Sequence, residues 1–175
     1  AARAKKYDLS LHDQLVGWLP RYAPYAARTP WLFNLRDSIG VLRQASETFV
    51  NFSARRSLPK WRSDTYRDRS DWSYAPAGSD APLREVVLFA DTFNRAYERE
   101  NLEAALRVLV AGGYRVHIPG PADGGRPLCC GRTFLSAGLV DQARAELDRL
   151  VSTYASFAAR GVPIIGLEPS CLLTL

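Results

Sequence analysis

Apolar residues recur at three- and four-residue steps through the first third of the chain, then gather into short continuous runs in its second half. Leu11, Leu15, Trp18 and Leu19 fall at i, i+4, i+7 and i+8 behind Ser10, a residue suited to capping a helix N-terminus. Leu32, Leu35, Ile39 and Leu42 form a second stripe of the same period, running on toward Phe49 and Phe52. Pro20, Pro24 and Pro30 punctuate these stripes and predict short helical pieces rather than one long helix. Residues 7–53 are therefore expected to form an all-helical arm. Its stripes cannot bury each other in so short a segment, so they need the C-terminal part of the chain or a neighbour beyond it.

Periodicity vanishes over residues 54–82. Arg55, Arg56, Pro59, Trp61 and Trp72 sit there among Ser, Asp, Pro and Gly, which reads as an irregular or extended linker ending in the turn-rich stretch 75–82. Trp61 and Trp72 are expected to pin it to a surface. From Leu83 the pattern sharpens. Glu85–Ala90 is a continuous apolar run suited to a buried parallel strand. A helix follows over 98–110, with Leu102, Ala105, Leu106 and Leu109 on one face and Gly112-Gly113 as its stop. Tyr114–Ile118 reads as a second strand closed by Pro119. A Gly/Pro loop leads to Cys129, then a long helix spans 139–159, with Val140, Ala143, Leu147, Leu150 and Tyr154 marking its apolar face. Gly161 ends it, and Val162–Leu167 is a third strand. The order β-α-β-α-β predicts an α/β domain over 83–175, a small parallel sheet with flanking helices.

Composition adds three points. The 175 residues include no methionine, and the chain stops at Leu175, four residues after a cysteine and inside an apolar run, so a piece of a longer protein is expected. Residues 1–80 carry 13 Lys+Arg against 8 Asp+Glu, while residues 81–175 carry 10 of each. The arginines are scattered rather than striped, so the basic half reads as a solvated face or one that docks on an acidic neighbour, not as a nucleic-acid surface. No apolar run approaches the roughly 20 residues of a membrane span, and no apolar segment follows the basic start to make a secretory signal. Three cysteines, two of them adjacent, do not make a disulfide framework. They suit free thiols that bind metal or do redox work in a reducing compartment, with the cytoplasm or the periphery of the inner membrane as the expected address.

Ligands of open parallel sheets collect beyond the carboxyl ends of the strands. Asp91 follows the first strand, Cys129 and Cys130 lie in the loop after the second, and Cys171 follows the third. The topology thus predicts that three thiols and one carboxylate, remote in sequence, share one rim. Thiolates suit iron–sulfur clusters or zinc, and a carboxylate adds a hard oxygen. Gly131 would let backbone N–H groups approach a sulfur, and the following helix would lower a nearby thiol pKa. Glu168 stands close by as a hydrogen-bond acceptor. The two histidines, His12 and His117, lack metal-site spacing, no nucleophile elbow is present, and Gly112-Gly113 and Gly124-Gly125 do not follow the first strand as a dinucleotide fingerprint would.

Three motifs carry a family resemblance: Leu-Phe-Ala-Asp-Thr-Phe at 88–93, Leu-Cys-Cys-Gly-Arg at 128–132, and Glu-Pro-Ser-Cys at 168–171. In this order the stretch from Val86 to Leu175 resembles the cysteine-rich CCG domain of heterodisulfide reductase. The same domain occurs in the iron–sulfur polypeptide of glycolate oxidase, in lactate-utilisation iron–sulfur proteins and in a small polypeptide of the anaerobic glycerol-3-phosphate dehydrogenase. The N-terminal half is more loosely similar to the helical connection that follows a two-cluster ferredoxin segment in fused D-lactate or glycolate dehydrogenases. The resemblance implies an oxidoreductase whose FAD-binding and ferredoxin-type domains lie elsewhere, passing electrons to an acceptor such as a quinone. It implies a cluster or zinc held by Cys129, Cys130 and Cys171, beside Gly131, with Asp91 as fourth ligand. The chain departs from the pattern at two points. Asp91 stands where the family's first cysteine falls, and Leu172 and Leu173 follow Cys171 where a second late cysteine often does. A domain that kept the fold as a docking module and lost the cluster is the competing expectation.

Overall fold

The structure is a computed structural model that describes residues 8–67, 73–76 and 83–174. Among the described residues the arm holds four helices: α1 (Leu11–Gly17), α2 (Leu19–Ala26), α3 (Pro30–Ser38) and α4 (Gly40–Val50). Ser10 caps α1 as expected, its hydroxyl accepting from Asp13 N–H at 3.1 Å. The arm is broken into short helices as expected, two of them starting at or next to a proline, while Pro24 does not interrupt its helix. Pro20 and Pro30 sit in the first turns of α2 and α3, where the missing N–H leaves nothing unpaired, and Pro24 is accommodated inside α2. Trp61 does pin the linker. Its ring meets Tyr22, Phe33 and Tyr97 at 6.0, 5.4 and 5.0 Å, and the Asn34 side chain both donates to Trp61 C=O and accepts from its N–H, at 2.9 Å each. Trp72, the other expected anchor, lies outside the described residues.

Four strands, β1 (Ser73–Tyr74), β2 (Arg84–Phe89), β3 (Tyr114–His117) and β4 (Ile164–Gly166), form one sheet in the order β1-β3-β2-β4. β2 runs parallel to both neighbours, pairing Val86 with Val116 and Leu88 with Ile165. These are the three parallel strands that the pattern predicts. β1, within the stretch read as linker, adds an antiparallel edge, with Ser73 opposite His117. Two residues are too few to show an alternation.

Between and after the strands come α5 (Thr92–Ala96), α6 (Arg99–Ala111), α7 (Arg132–Ser136), α8 (Val140–Ala159) and α9 (Pro169–Leu172). β2 is apolar throughout its buried length because both its faces are covered. Val86, Leu88 and Ala90 join Leu102, Val116 and Ile118 in a core packed with the α6 residues Ala105, Leu106 and Leu109. Val87 and Phe89 point the other way, into a second core with Leu128, Leu150, Tyr154, Cys130 and Cys171. Burying a side chain such as Leu88 or Phe89 is worth about 1.5–3 kcal/mol. The layer order is helix, sheet, helix, and the thiols belong to the α8 side.

The arm rests on α7 and α8. Thr133 Oγ1 donates to Gly17 C=O at 3.0 Å, and a Cβ on Gly17 would stand 3.1 Å from that of Ala137. Trp18 meets Phe134 edge-on at 5.5 Å, and the Arg21 guanidinium lies over both rings. The linker is tied to the sheet domain by Arg62, which bonds Asp64 Oδ1 at 2.7 Å and Glu100 Oε1 at 2.6 Å. Those bonds hold the Asp64 carboxyl at about 2, below its ordinary 3.8, with the Arg62 hydrogen bond as the largest cause. A carboxylate depressed in the folded state stabilises above its unfolded pKa and loses that contribution as pH falls through the folded one. The midpoint of thermal unfolding is therefore expected to drop between pH 3.8 and about 2, and Asp64→Asn should remove part of the drop in a pH series followed by circular dichroism. Solvent screening at this exposed pair keeps the effect small.

Candidate functional site

The chain leaves β2 through Asp91, whose side chain is 1% exposed. It caps α5: Oδ1 accepts from the N–H groups of Phe93 and Asn94 at 2.9 and 3.0 Å, and Oδ2 from Asn94 Nδ2 at 2.7 Å. Three donors occupy both oxygens, so this carboxylate is a capping group rather than the free hard ligand expected at this position. The residue after β2 that does reach the thiols is Thr92, whose side chain lies beside Cys129. Beside Thr92 opens a cavity of about 80 Å³, walled by Pro20, Ala23 and Pro24 of the arm and by Tyr66, Arg95 and Pro127.

Cys129, Cys130 and Cys171 are free and buried, at 3%, 2% and 3% exposure. They lie side by side: Cys130 adjoins Cys129 on one side and Cys171 on the other. The predicted meeting of residues 129, 130 and 171 beyond the strand ends therefore occurs. Backbone amides point at the thiols, as expected from Gly131. Gly131 N–H donates to Cys129 Sγ at 3.4 Å, and Arg132 N–H reaches Cys130. The expected lowering of thiol pKa does not follow. Cys129 is pushed up, first by the neighbouring Cys130 thiol and then by burial. Cys130 is pulled down by Cys129 but raised more by Cys171 and burial together, ending at about 11. Burial and the neighbouring thiols disfavour ionisation of Cys129 and Cys130, and one five-residue helix does not offset that.

Gly131 has a second reason to be glycine. Its φ is +80°, and a Cβ there would come within 2.6 Å of the Ala143 carbonyl oxygen on α8. One turn further along α8 lies Glu146, 0% exposed. Its Oε2 accepts from Arg126 Nη1 at 2.8 Å and Arg149 Nη1 at 3.3 Å, while Oε1 pairs with Arg126 Nη2 and, at 3.4 Å, with Arg21 of the arm. The loop carrying the vicinal cysteines is thus fastened to α8 at both ends, by Arg126 before it and Gly131 after it. After β4, Glu168 caps α9 by accepting from Ser170 N–H at 3.3 Å, which sets Cys171 in place.

Sequence reasoning missed Thr92, Arg126 and Glu146. For Glu146 a signal existed: with Ala143, Leu150 and Tyr154 it stands on the buried stripe of α8, where a carboxylate needs partners. His12 lies against Phe52, with ring centroids 4.8 Å apart, and His117 faces Glu85 at 3.2 Å, so neither joins the thiols. Among the described residues, no group of three or more His, Cys, Asp and Glu side chains is arranged to hold a metal ion. The donor set suits a soft metal in kind, three thiols screened from water. Nor is any helix of the described residues long and apolar enough to cross a membrane.

No family model matches the chain, and no solved structure does. Curated relatives do. A D-2-hydroxyglutarate dehydrogenase of Pseudomonas putida is 28% identical over 179 residues, covering 96% of this chain and 17% of that protein. One polypeptide of the anaerobic glycerol-3-phosphate dehydrogenase of Escherichia coli K12 is 25% identical over 166 residues, covering 94% of this chain and 38% of that polypeptide. Arm and sheet domain together are thus distantly homologous to minor portions of two dehydrogenase polypeptides.

Proposed function

We propose that this chain is the cysteine-rich electron-transfer part of a larger flavin- and iron–sulfur-dependent oxidoreductase acting on a 2-hydroxyacid of the D-lactate or glycolate type. The observation that carries this reading is the meeting of Cys129, Cys130 and Cys171 beyond the carboxyl ends of β2, β3 and β4. The homology to two dehydrogenases supports the reaction class. In the proposed holoprotein, Cys129, Cys130 and Cys171 hold an iron–sulfur cluster or zinc, and the amides of Gly131 and Arg132 hydrogen-bond the sulfurs. A cluster at this place would supply one-electron transfer between a flavin on another domain and an acceptor such as a quinone. The chain's own residues exclude water from the thiols and fix their backbone. Asp91, committed to α5, is left out of the ligand set.

Iron and zinc analysis with electron paramagnetic resonance, on the full-length protein purified anaerobically, tests the proposal. Wild type is expected to carry iron or zinc that Cys130→Ser loses, together with most of the substrate-to-acceptor turnover. A metal-free wild type whose turnover survives Cys130→Ser would leave the second reading, a docking module without a centre. The capped Asp91 and the single late cysteine, Cys171, favour that alternative. It predicts that each Cys→Ser change costs only packing energy, on the order of 1 kcal/mol.

A further inference from the structure

Helices α3 and α4 are packed inside out. A helix on a soluble domain normally turns its apolar stripe toward the core, yet neither α3 nor α4 has a single buried residue. What joins them is polar. Arg36 Nε donates to Ser46 Oγ at 2.8 Å, its Nη2 reaches the carbonyls of Phe52 and Ser53 at 3.2 and 2.7 Å, and Asp37 Oδ2 accepts from Leu58 N–H at 2.9 Å. The apolar side chains look outward instead: Trp31 is 66% exposed, Leu32 52%, Val41 72% and Phe49 78%. Exposed apolar surface of this extent marks an interaction site. Cations adjoin the two helices. Arg55, Arg56 and Lys60 are exposed just after α4, and none of them forms a salt bridge with a described residue. Glu47 is the one exposed carboxylate on the two helices.

We infer that the α3–α4 face is a docking surface for another domain of the same polypeptide, one that presents an apolar patch rimmed by Asp and Glu. The exposed cations that follow α4 select an acidic partner. Its source follows from the relatives, in which nearly all of this chain, arm included, matches only 17% and 38% of the polypeptide. This inference rests on the proposed multidomain parent but not on any metal. Apolar side chains and adjoining charges divide the work: burial of Trp31 and Phe49 gives affinity, and Arg55, Arg56 and Lys60 give orientation.

Site-specific photo-crosslinking on the full-length polypeptide tests it, with p-benzoylphenylalanine placed at Phe49 or Trp31. Peptide mapping is expected to find crosslinks within one polypeptide, to an Asp/Glu-rich segment outside residues 1–175. The same probe at Val151, exposed on α8, should give none to that segment. Val41→Asp with Phe49→Asp should abolish the Trp31 crosslink while iron and zinc content stays at the wild-type level. Crosslinks to a second copy, to a separate polypeptide or to lipid, or no crosslink at all, would each overturn the inference. A lost metal content in wild type would instead count against the proposed function and leave the docking result standing.

Discussion

Gly131→Ala is expected to destabilise the chain by about 2–5 kcal/mol, combining a left-handed backbone worth roughly 1–2 kcal/mol with an overpacking cost of 1–3 kcal/mol. The two contributions can be separated. Gly113 has the same φ of +80° with nothing within 4 Å of its notional Cβ, whereas the Cβ of residue 131 would press on the Ala143 carbonyl at 2.6 Å. Gly113→Ala should therefore lose only the backbone part, about 1–2 kcal/mol, and the difference between the variants in urea denaturation reads the closeness of α8 to the cysteine loop. If the two cost the same, α8 gives way easily and the loop is not held from that side. Relief of the clash would also move the Gly131 N–H away from Cys129 Sγ, so metal retention in the full-length protein should fall along with stability.

This glycine shows what can be read from sequence and what cannot. The Cys-Cys-Gly triplet announces a close approach, but toward a sulfur. The N–H does meet Cys129, while the tighter constraint comes from a helix backbone twelve residues away. β2 is plain because a central strand buried on both faces has to be apolar at every step, and Val86 to Phe89 are. β1 is not, since its two residues are ordered by pairing with β3 rather than by any pattern of their own. The topology puts Asp91 at the right rim but does not reveal its task. An Asp directly before a helical Thr-Phe-Asn is also a capping signal, and the orphan N–H groups of α5 are nearer than any metal. Although Ile39, expected to belong to it, is extended and divides α3 from α4, the stripe at Leu32, Leu35 and Leu42 is legible as apolar and helical. Its direction is not, because a three-four period reports that one face differs from the other and does not say which faces the protein.

Glu146→Ala is expected to cost about 3–5 kcal/mol, the penalty for leaving buried charges without their counter-charge. The carboxylate is fully enclosed and answers three guanidinium groups, which remain half-enclosed after its removal. They will not suffer equally. Arg149 keeps Asp123, bonded at 2.8 Å through Nε and 3.0 Å through Nη2, and also donates to Arg126 C=O. Arg126 and Arg21 have no second carboxylate among the described residues, so the loss falls on the cysteine loop and on the joint between arm and sheet domain. Hydrogen exchange should accordingly quicken at 127–131 and in α2 before it quickens in β2. Glu146→Gln, which keeps the shape and two acceptor sites but not the charge, should land between alanine and wild type. A double-mutant cycle with Arg126→Ala is expected to show coupling of about 1–3 kcal/mol, and one with Arg21→Ala less, because that pair is longer at 3.4 Å and Arg21 is one-third exposed. Were Glu146→Ala to cost under about 1 kcal/mol, the range of an ordinary substitution, the loop would be held by packing on α8 alone. The arm would then be free to shift relative to the thiols, and the cavity beside Thr92, walled partly by α2, would widen with it.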